Sequence, residues 1–172
     1  MTFTGNILAL DLGKRTGWVC GPPGASPPHY GSMAIGGEGS CYGAIGSKFR
    51  AWLSDMIVVN RPKLLVMEAP LPPQAQTNMT SARVLFGLAW QVEQIAYDHG
   101  LYNVREATVQ NVRSFFVGHG RLKSETAEIV IKRKCKELGW HPQDHNAADA
   151  LALWHYQCAI VAPGLELKRH TA

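Results

Sequence analysis

The sequence predicts an α/β domain in which a mixed sheet is flanked by helices. Short apolar runs, which are typical of strands, alternate with longer segments whose apolar residues recur every three or four positions, as in amphipathic helices. The order of these patterns is strands, helix, strand, helix, strand and then helices, and the chain starts with a hairpin-like group of strands. We therefore expect antiparallel and parallel strand pairs in the same sheet.

The composition fits one domain of ordinary size. Of 172 residues, 46% are hydrophobic and 17% charged, which is enough to bury a core without disulfides or metals as staples. No apolar run is long enough to span a bilayer and no secretory signal pattern starts the chain, so we expect a cytoplasmic protein with no membrane segment. The four cysteines form no CxxC pair, which predicts reduced, mostly buried thiols rather than a zinc ribbon.

The first strand is predicted within residues 6–18, NILALDLGKRTGW. Its apolar residues cover both faces, as in a central strand, and glycines mark the turn that ends it. Residues 17–20 and 31–35 predict two further short strands, which are joined by the Pro- and Gly-rich loop 21–30.

The middle of the chain predicts a helix, a strand and a long loop. Residues 42–59 have the helical period, and the Arg-Pro pair at 61 and 62 ends the helix. Residues 63–68, KLLVME, predict an apolar strand closed by a carboxylate. The polar, proline-rich residues 69–79 predict a loop long enough to touch a ligand.

The next helix is expected to be capped by Thr80 or Ser81 and closed by Gly100. Residues 101–105 predict a strand, and residues 108–116 predict a short helix.

A flexible Gly-His-Gly break precedes two final helices. The first is expected to have Ser124 as its N-cap and to end at Gly139. The second, residues 144–161, is rich in Ala and Leu on nearly every face, so we expect it to pack deep against the sheet or a neighbouring subunit. The tail from residue 163 shows no periodicity and is predicted to be frayed.

Three acids stand in apolar elements: Asp11 in the first strand, Glu68 at the end of the fourth and Asp149 in the last helix. Taken singly, each could be a backbone cap or the partner of a nearby Arg or Lys. Together, three ionised carboxylates would repel one another unless they shared a cation. Mg²⁺ and Mn²⁺ prefer such oxygen ligands, and two of these ions about 4 Å apart can hydrolyse a phosphodiester.

The three segments that carry the acids resemble the RuvC-type Holliday junction resolvases of the ribonuclease H superfamily. The segments are ILALDLGKRTGW, LLVMEAP and NAADALAL, in this order and at these separations, and the AADALA helix is the most specific of them. The resemblance extends from residue 7 to about residue 155 and includes VGHGRLKSE. It does not separate a host recombination enzyme from a phage or prophage relative.

The resemblance implies a ribonuclease H-like fold, a mixed five-stranded sheet flanked by helices. The nuclease domain is expected in residues 1–162, and the frayed tail in residues 163–172. It implies a metal-dependent crossover junction endodeoxyribonuclease, a homodimer that resolves four-way or other branched DNA with two Mg²⁺ or Mn²⁺ ions per active site. Asp11, Glu68 and Asp149 match the family's catalytic, metal-binding acids.

The position three residues before the last acid departs from the family, which usually has Asp or His there. Here it is Asn146, preceded by His145. Both positions lie on the same side of a helix as Asp149, so either side chain could help to hold the second ion. His145 could instead accept a proton or bond to backbone at the helix start.

The expected DNA contacts are basic residues. Six of the 17 Lys and Arg residues lie in residues 121–136, although a solvated helix face also explains such a run. By resemblance, Arg113 and Lys123 lie near positions that approach the scissile backbone. Arg121 and Lys132 are further candidates for phosphate contact.

Three alternatives to a junction resolvase follow from the same residues. Another ribonuclease H-like nuclease could act on RNA–DNA hybrids or replication intermediates. A branched-DNA-binding protein with weakened catalysis is the second, and Asn146 keeps it open. A sugar kinase or actin-like ATPase shares the first-strand pattern, but its two lobes need more than 172 residues.

Overall fold

The computed structural model describes residues 3–71 and 78–164. These residues form a five-stranded mixed sheet in the order β3-β2-β1-β4-β5, with helices on both faces, which confirms the predicted ribonuclease H-like α/β fold. None of the described helices combines the length and the hydropathy that crossing a bilayer requires. The elements are β1 Ile7–Asp11, β2 Arg15–Gly21, β3 His29–Ala34, α1 Tyr42–Asn60, β4 Leu64–Glu68, α2 Met79–Asp98, β5 Val104–Ala107, α3 Val109–Val117, α4 Ser124–Glu137 and α5 His145–Val161.

Strand β1 is the centre of the sheet. It pairs antiparallel with β2 and parallel with β4, and β5 extends the parallel side. Successive side chains of a strand point to opposite faces, and the two faces of β1 are both covered. Ile7 and Ala9 pack among residues of α3, α4 and α5, whereas Leu8 and Leu10 pack among those of α1 and α2.

Helix α5 lies across β1 and β2 and is the most buried helix. Its Trp154 is fully buried and donates a hydrogen bond from Nε1 to the carbonyl oxygen of Gly21 at 3.2 Å. The predicted deep packing of this Ala- and Leu-rich segment is therefore confirmed. All four cysteines are free, and Cys41 is the exposed one, as expected for mostly buried thiols.

Three predicted boundaries are wrong, each for a local reason. The cap of α2 is Asn78, whose side-chain oxygen accepts from the amides of Thr80 and Ser81 at 3.0 and 3.1 Å, so neither of those residues caps the helix. Ser124 is the first residue of α4, not its N-cap; Lys123 holds that position without a side-chain cap bond.

The third wrong boundary is the start of β5 at Val104 rather than residue 101. The amides of Gly100 and Leu101 bond to carbonyls of the last turn of α2, so these residues end the helix instead of starting a strand. The predicted loop 69–79 gives way to α2 at Met79, and its residues 72–77 lie outside the described residues. Most of the predicted tail also lies outside them.

The short connection from β1 to β2 is held by the threonine of the first motif. Thr16 is completely buried, and its hydroxyl donates to the carbonyl oxygen of Gly13 at 2.9 Å. The next residue, Gly17, pairs with Asp11 in the antiparallel register. A Cβ at Gly17 would lie 2.0 Å from the backbone carbonyl oxygen of Asn146. Because glycine has no side chain, the start of α5 can approach the sheet at this position.

Replacing Gly17 by Ala should lower the free energy of unfolding by about 2 kcal/mol or more, because backbone of α5 must move to admit the methyl group. Urea denaturation measures this. Gly43→Ala is the matched control, since a Cβ there meets nothing within 4 Å. Equal stability of the two variants would show that the close approach of β2 and α5 is not required.

Candidate active site

Asp11 and Glu68 lie side by side at the C-terminal ends of the neighbouring strands β1 and β4. Each is the last residue of its strand, and the parallel register pairs Leu10 with Met67 directly before them. Neighbouring strands lie about 4.8 Å apart. Alternation puts Asp11 on the face of Ile7 and Ala9, and Glu68 on the face of Leu64 and Val66; that face is the one covered by α5.

Asp149, on α5, lies close enough to Asp11 and Glu68 for its charge to raise the pKa of both. It sits in the second turn of a helix whose first turn is anchored on β2 and β3 by Asp144. The Asp144 carboxylate accepts from the amide of Ala147 at 2.9 Å and from the hydroxyl of Ser32 at 2.5 Å, and it lies 3.9 Å from the guanidinium of Arg15. This anchor and the bare backbone at Gly17 position the start of α5.

The electrostatics of the three acids show that they interact. Burial, followed by the charges of Glu68 and Asp149, raises the pKa of Asp11 well above its ordinary value. Burial and the charge of Asp149 raise the pKa of Glu68 to about 7. Burial raises the pKa of Asp149 to about 6. Each of the three residues is nevertheless only partly buried, so the cluster lies near the protein surface.

Arg113 is the cation that offsets this repulsion most broadly. It stands on α3, directly after β5, and its charge lowers the pKa of Asp11, Glu68 and Asp149 alike. Its Nη1 donates to the carbonyl oxygen of Leu122 at 3.4 Å, so the same side chain ties α3 to the loop before α4.

A cleft of about 350 Å³ opens beside Glu68 and Arg113. We call it the Glu68 cleft. Its walls come from the ends of β1 and β4, from α2 and α3 and from the start of α4, and include Leu12, Pro70, Leu85, Val109 and Ser124.

The donor set of the cluster suits a hard divalent cation, because three largely buried carboxylates with raised pKa values are stabilised by a shared positive charge. Among the described residues, no three His, Cys, Asp or Glu side chains are arranged as they stand to hold a metal ion.

His145 and Asn146, where the sequence departs from the resolvase pattern, lie at the start of α5. His145 is its first residue and is exposed, and its electrostatic interaction with Asp144 and Asp149 lowers the pKa of both carboxyls. Asn146 is partly buried, and its backbone carbonyl oxygen faces Gly17.

The predicted basic residues fall into two groups. Arg113 and Lys132 lie close enough to the acids for their charges to lower the pKa of Asp149. Arg121 and Lys123 are exposed in the segment between α3 and α4. Within α4, Arg133 and Lys134 are partly neutralised by Glu137, at 4.0 and 3.4 Å.

Sequence reasoning missed the anchor of α5. Asp144 was expected only at the start of that helix, yet its carboxylate links Ser32, Arg15 and the helix. Burial alone would raise the pKa of Asp144, but the bonds from Ser32 and Ala147 and the charge of Arg15 outweigh it, and the pKa is lowered. A helix-cap signal identifies Asp144; no local pattern identifies Ser32, which is 112 residues away.

Three solved structures of Holliday junction resolvases share this architecture. Thermus thermophilus RuvC in complex with a Holliday junction substrate matches with a TM-score of 0.69 and 18% identity, covering 89% of this chain and 92% of that one. The fold is that of RuvC. A second Thermus thermophilus RuvC structure gives 0.67 at 16% identity, with 90% and 95% covered. The yeast mitochondrial Holliday junction resolvase Ydc2 gives 0.63 at 10% identity, with 92% and 79% covered.

No protein-family model matches the chain, and no curated protein matches it in sequence. The resemblance to RuvC that the three motifs predict is thus confirmed by shape, at identities that show the fold alone.

In metal-free buffer, the acids of this RuvC fold should make stability fall as pH rises. The folded protein keeps protons on Glu68 up to about pH 7 and on Asp149 up to about pH 6, whereas the unfolded chain loses them near the ordinary values of 4.5 and 3.8. The stabilisation from protonated Glu68 and Asp149 is fully present below their ordinary pKa values. It is lost as the pH rises through their raised pKa values in the folded protein. Urea denaturation across this range, with a chelator present, measures the slope.

Asp149→Asn should flatten that slope, because it removes one titrating group and one source of the raised pKa of Glu68. Comparing variant with wild type matters because burial lowers the pKa of His155 to about 4, which contributes a slope of opposite sign in both proteins. Added Mg²⁺ should stabilise wild type most at the high-pH end, since it binds the deprotonated acids. Identical slopes for the two proteins would contradict interaction between the acids.

Proposed function

We propose that this protein is a metal-dependent, structure-specific endonuclease that resolves four-way or other branched DNA. The observation that carries the proposal is the cluster of Asp11, Glu68 and Asp149 around Arg113, on a fold shared with a RuvC that has been solved in complex with a Holliday junction substrate. Phosphodiester hydrolysis by two ions needs carboxylates at such a partly accessible edge.

The acids would hold Mg²⁺ or Mn²⁺, two per site, which when bound supply Lewis-acid activation of water and stabilisation of the leaving oxygen. The charges of Glu68 and Asp149 both raise the pKa of Asp11, so the three acids lie close enough together that they would hold these ions jointly. Asn146 offers a neutral carbonyl beside Asp149, and exposed His145 could accept a proton there.

The chain's own cations would orient the DNA. Arg113, beside the acids and the Glu68 cleft, would contact the scissile phosphate. Lys123, Arg121 and Lys132 would bind neighbouring phosphates without reading bases, so binding should weaken steeply with salt.

Asp11→Asn should slow cleavage of a labelled synthetic four-way junction at least about 100-fold, because it removes the acid whose pKa is raised by both of the others. Single-turnover assays with Mg²⁺ or Mn²⁺ measure it. Asp55→Asn, an exposed acid on α1, is the matched control and should cut at the wild-type rate.

The same assay separates the alternatives. Equal cleavage of junction, linear duplex and RNA–DNA hybrid would favour another ribonuclease H-like nuclease. Tight junction binding with no cleavage by wild type would favour a branched-DNA-binding protein. Wild-type rates for Asp11→Asn would rule out the metal site.

Paired cuts on a junction need two active sites, and α2 offers a face for a homodimer. Phe86, Trp90 and Tyr97 lie on one side of this helix and are 43%, 77% and 70% exposed. A shallow cleft between Trp90, Glu93, Gln94 and Tyr97 shapes the same face. Large aromatic side chains at this density favour a protein contact, and a two-fold pairing of α2 with a second copy would bury them.

Trp90→Glu should weaken self-association at least about 30-fold, because it places a charge at the centre of this face. Sedimentation velocity over a dilution series measures the monomer–dimer equilibrium. Val59→Glu changes a residue that is equally exposed, at 77%, but lies on α1, and it should leave self-association unchanged. A monomeric wild type, or equal effects of both variants, would contradict the α2 interface.

A further inference from the structure

A second concave site lies between α1 and α2. The groove has a volume of about 370 Å³ and mostly apolar walls. We call it the Gln91 groove. It lies on the face of the sheet opposite to α5. It is lined by Tyr42, Ile45, Gly46, Arg83, Val84, Gly87, Leu88 and Gln91, none of which is acidic.

The groove opens at the same end of the fold as the three acids. Helix α1 ends shortly before β4 begins, and α2 begins beyond the end of β4, so both helices start at the edge where Glu68 lies. On α2, Leu85 lines the Glu68 cleft while its neighbour Val84 lines the Gln91 groove. Adjacent residues of α2 therefore line the two concave sites, which lie on different sides of this helix.

The lining of the groove suits one flat, aromatic, hydrogen-bonding group. At its rim the guanidinium of Arg83 lies 5.4 Å from the centroid of the Tyr42 ring, and Tyr42 is 46% exposed. Aromatic rings and guanidinium planes stack on nucleobases whatever their sequence. The positive charge of Arg83, with no acid in the lining, is complementary to a polyanion.

Beneath this rim lies the side-chain amide of Gln91. Its Oε1 atom is buried and has no hydrogen-bond partner among residues 3–71 and 78–164. Its amide group lies over Gly46, where a Cβ would come within 2.5 Å of Nε2. Buried acceptors are nearly always satisfied, so this one indicates a missing donor. The opposite wall is open at Gly87, where a Cβ would meet no atom of the described residues within 4 Å.

We propose that the Gln91 groove binds one unstacked nucleobase of the branched DNA, close to the phosphate being cut. Tyr42 and Arg83 stack against the base, and Gln91 accepts a hydrogen bond from an N–H on its pairing edge. This inference rests on the proposed nuclease function and adds to it a source of base preference at the cleavage site. Bases beside a branch point are the easiest to unstack, because they have fewer stacked neighbours.

Filling the groove tests this directly. Gly87→Leu places a side chain in the open wall, and Gly43→Leu makes the same change on α1, where a Cβ also meets nothing within 4 Å and which is not part of the lining. Junction binding is measured by fluorescence anisotropy with Asp11→Asn in the background and a chelator present, so that cutting does not interfere. Gly87→Leu should bind about tenfold more weakly than Gly43→Leu, the effect of losing one stacked base.

A second readout does not depend on cleavage. Nucleoside monophosphates are titrated into ¹⁵N-labelled protein, and the side-chain amide signal of Gln91 is followed by NMR. It should shift with wild type and Gly43→Leu but not with Gly87→Leu. On sequence-varied junctions, Gly87→Leu with Asp11 intact should lose base preference at the cut site. Sedimentation checks that its dimer is intact.

The outcomes separate this inference from the nuclease proposal. A shift of the Gln91 amide signal in a protein that cuts no junction would support base binding by the groove. It would also overturn the proposal that the protein resolves junctions. Cleavage by wild type with an unresponsive Gln91 signal, or equal binding and preference in both leucine variants, would overturn the groove proposal alone. Shifts confined to Trp90 and Tyr97 would overturn it as well, because they would place the base on the α2 face.

Discussion

The repulsion among three partly buried carboxylates is the constraint on which the arrangement of this protein depends. Asp11, Glu68 and Asp149 each have a raised pKa, so ionising all three costs free energy that the fold must supply. The sheet supplies it through rigid parallel strands that end together, and α5 is pinned against them by Asp144. Arg113 lowers the cost without cancelling it, which leaves a site with affinity for additional positive charge.

The two faces of the sheet have different tasks. The α5 face buries the strand residues next to the acids and sets their geometry through close backbone packing at Gly17. The α1 and α2 face presents apolar and aromatic surface to the outside, both in the row from Phe86 to Tyr97 and in the Gln91 groove. The acids and the Gln91 groove thus lie at the same end of the sheet, where β4 ends, but on opposite faces of it.

Much of the fold was predictable because local patterns agreed with the tertiary structure. The helical period of residues 42–59, the glycine stop after α2 and the apolar run before Glu68 all match observed elements. The errors lie at caps, at Asn78 and Lys123, because several polar residues near a helix start compete for that position and only backbone geometry selects one. The predicted start of β5 was too early because the amides of Gly100 and Leu101 bond to the end of α2 and form the turn that follows it.

By itself the sequence determined the mixed α/β class, the order of the elements and the three acids, since period, glycine placement and a charge within an apolar run are local properties. Only the tertiary structure decided which groups meet. Strand parity put Asp11 and Glu68 on the α5 face, Gly17 admitted the α5 backbone, and Ser32 reached Asp144 across 112 residues. Such contacts depend on how elements pack, and packing between distant segments leaves no periodic mark in either of them.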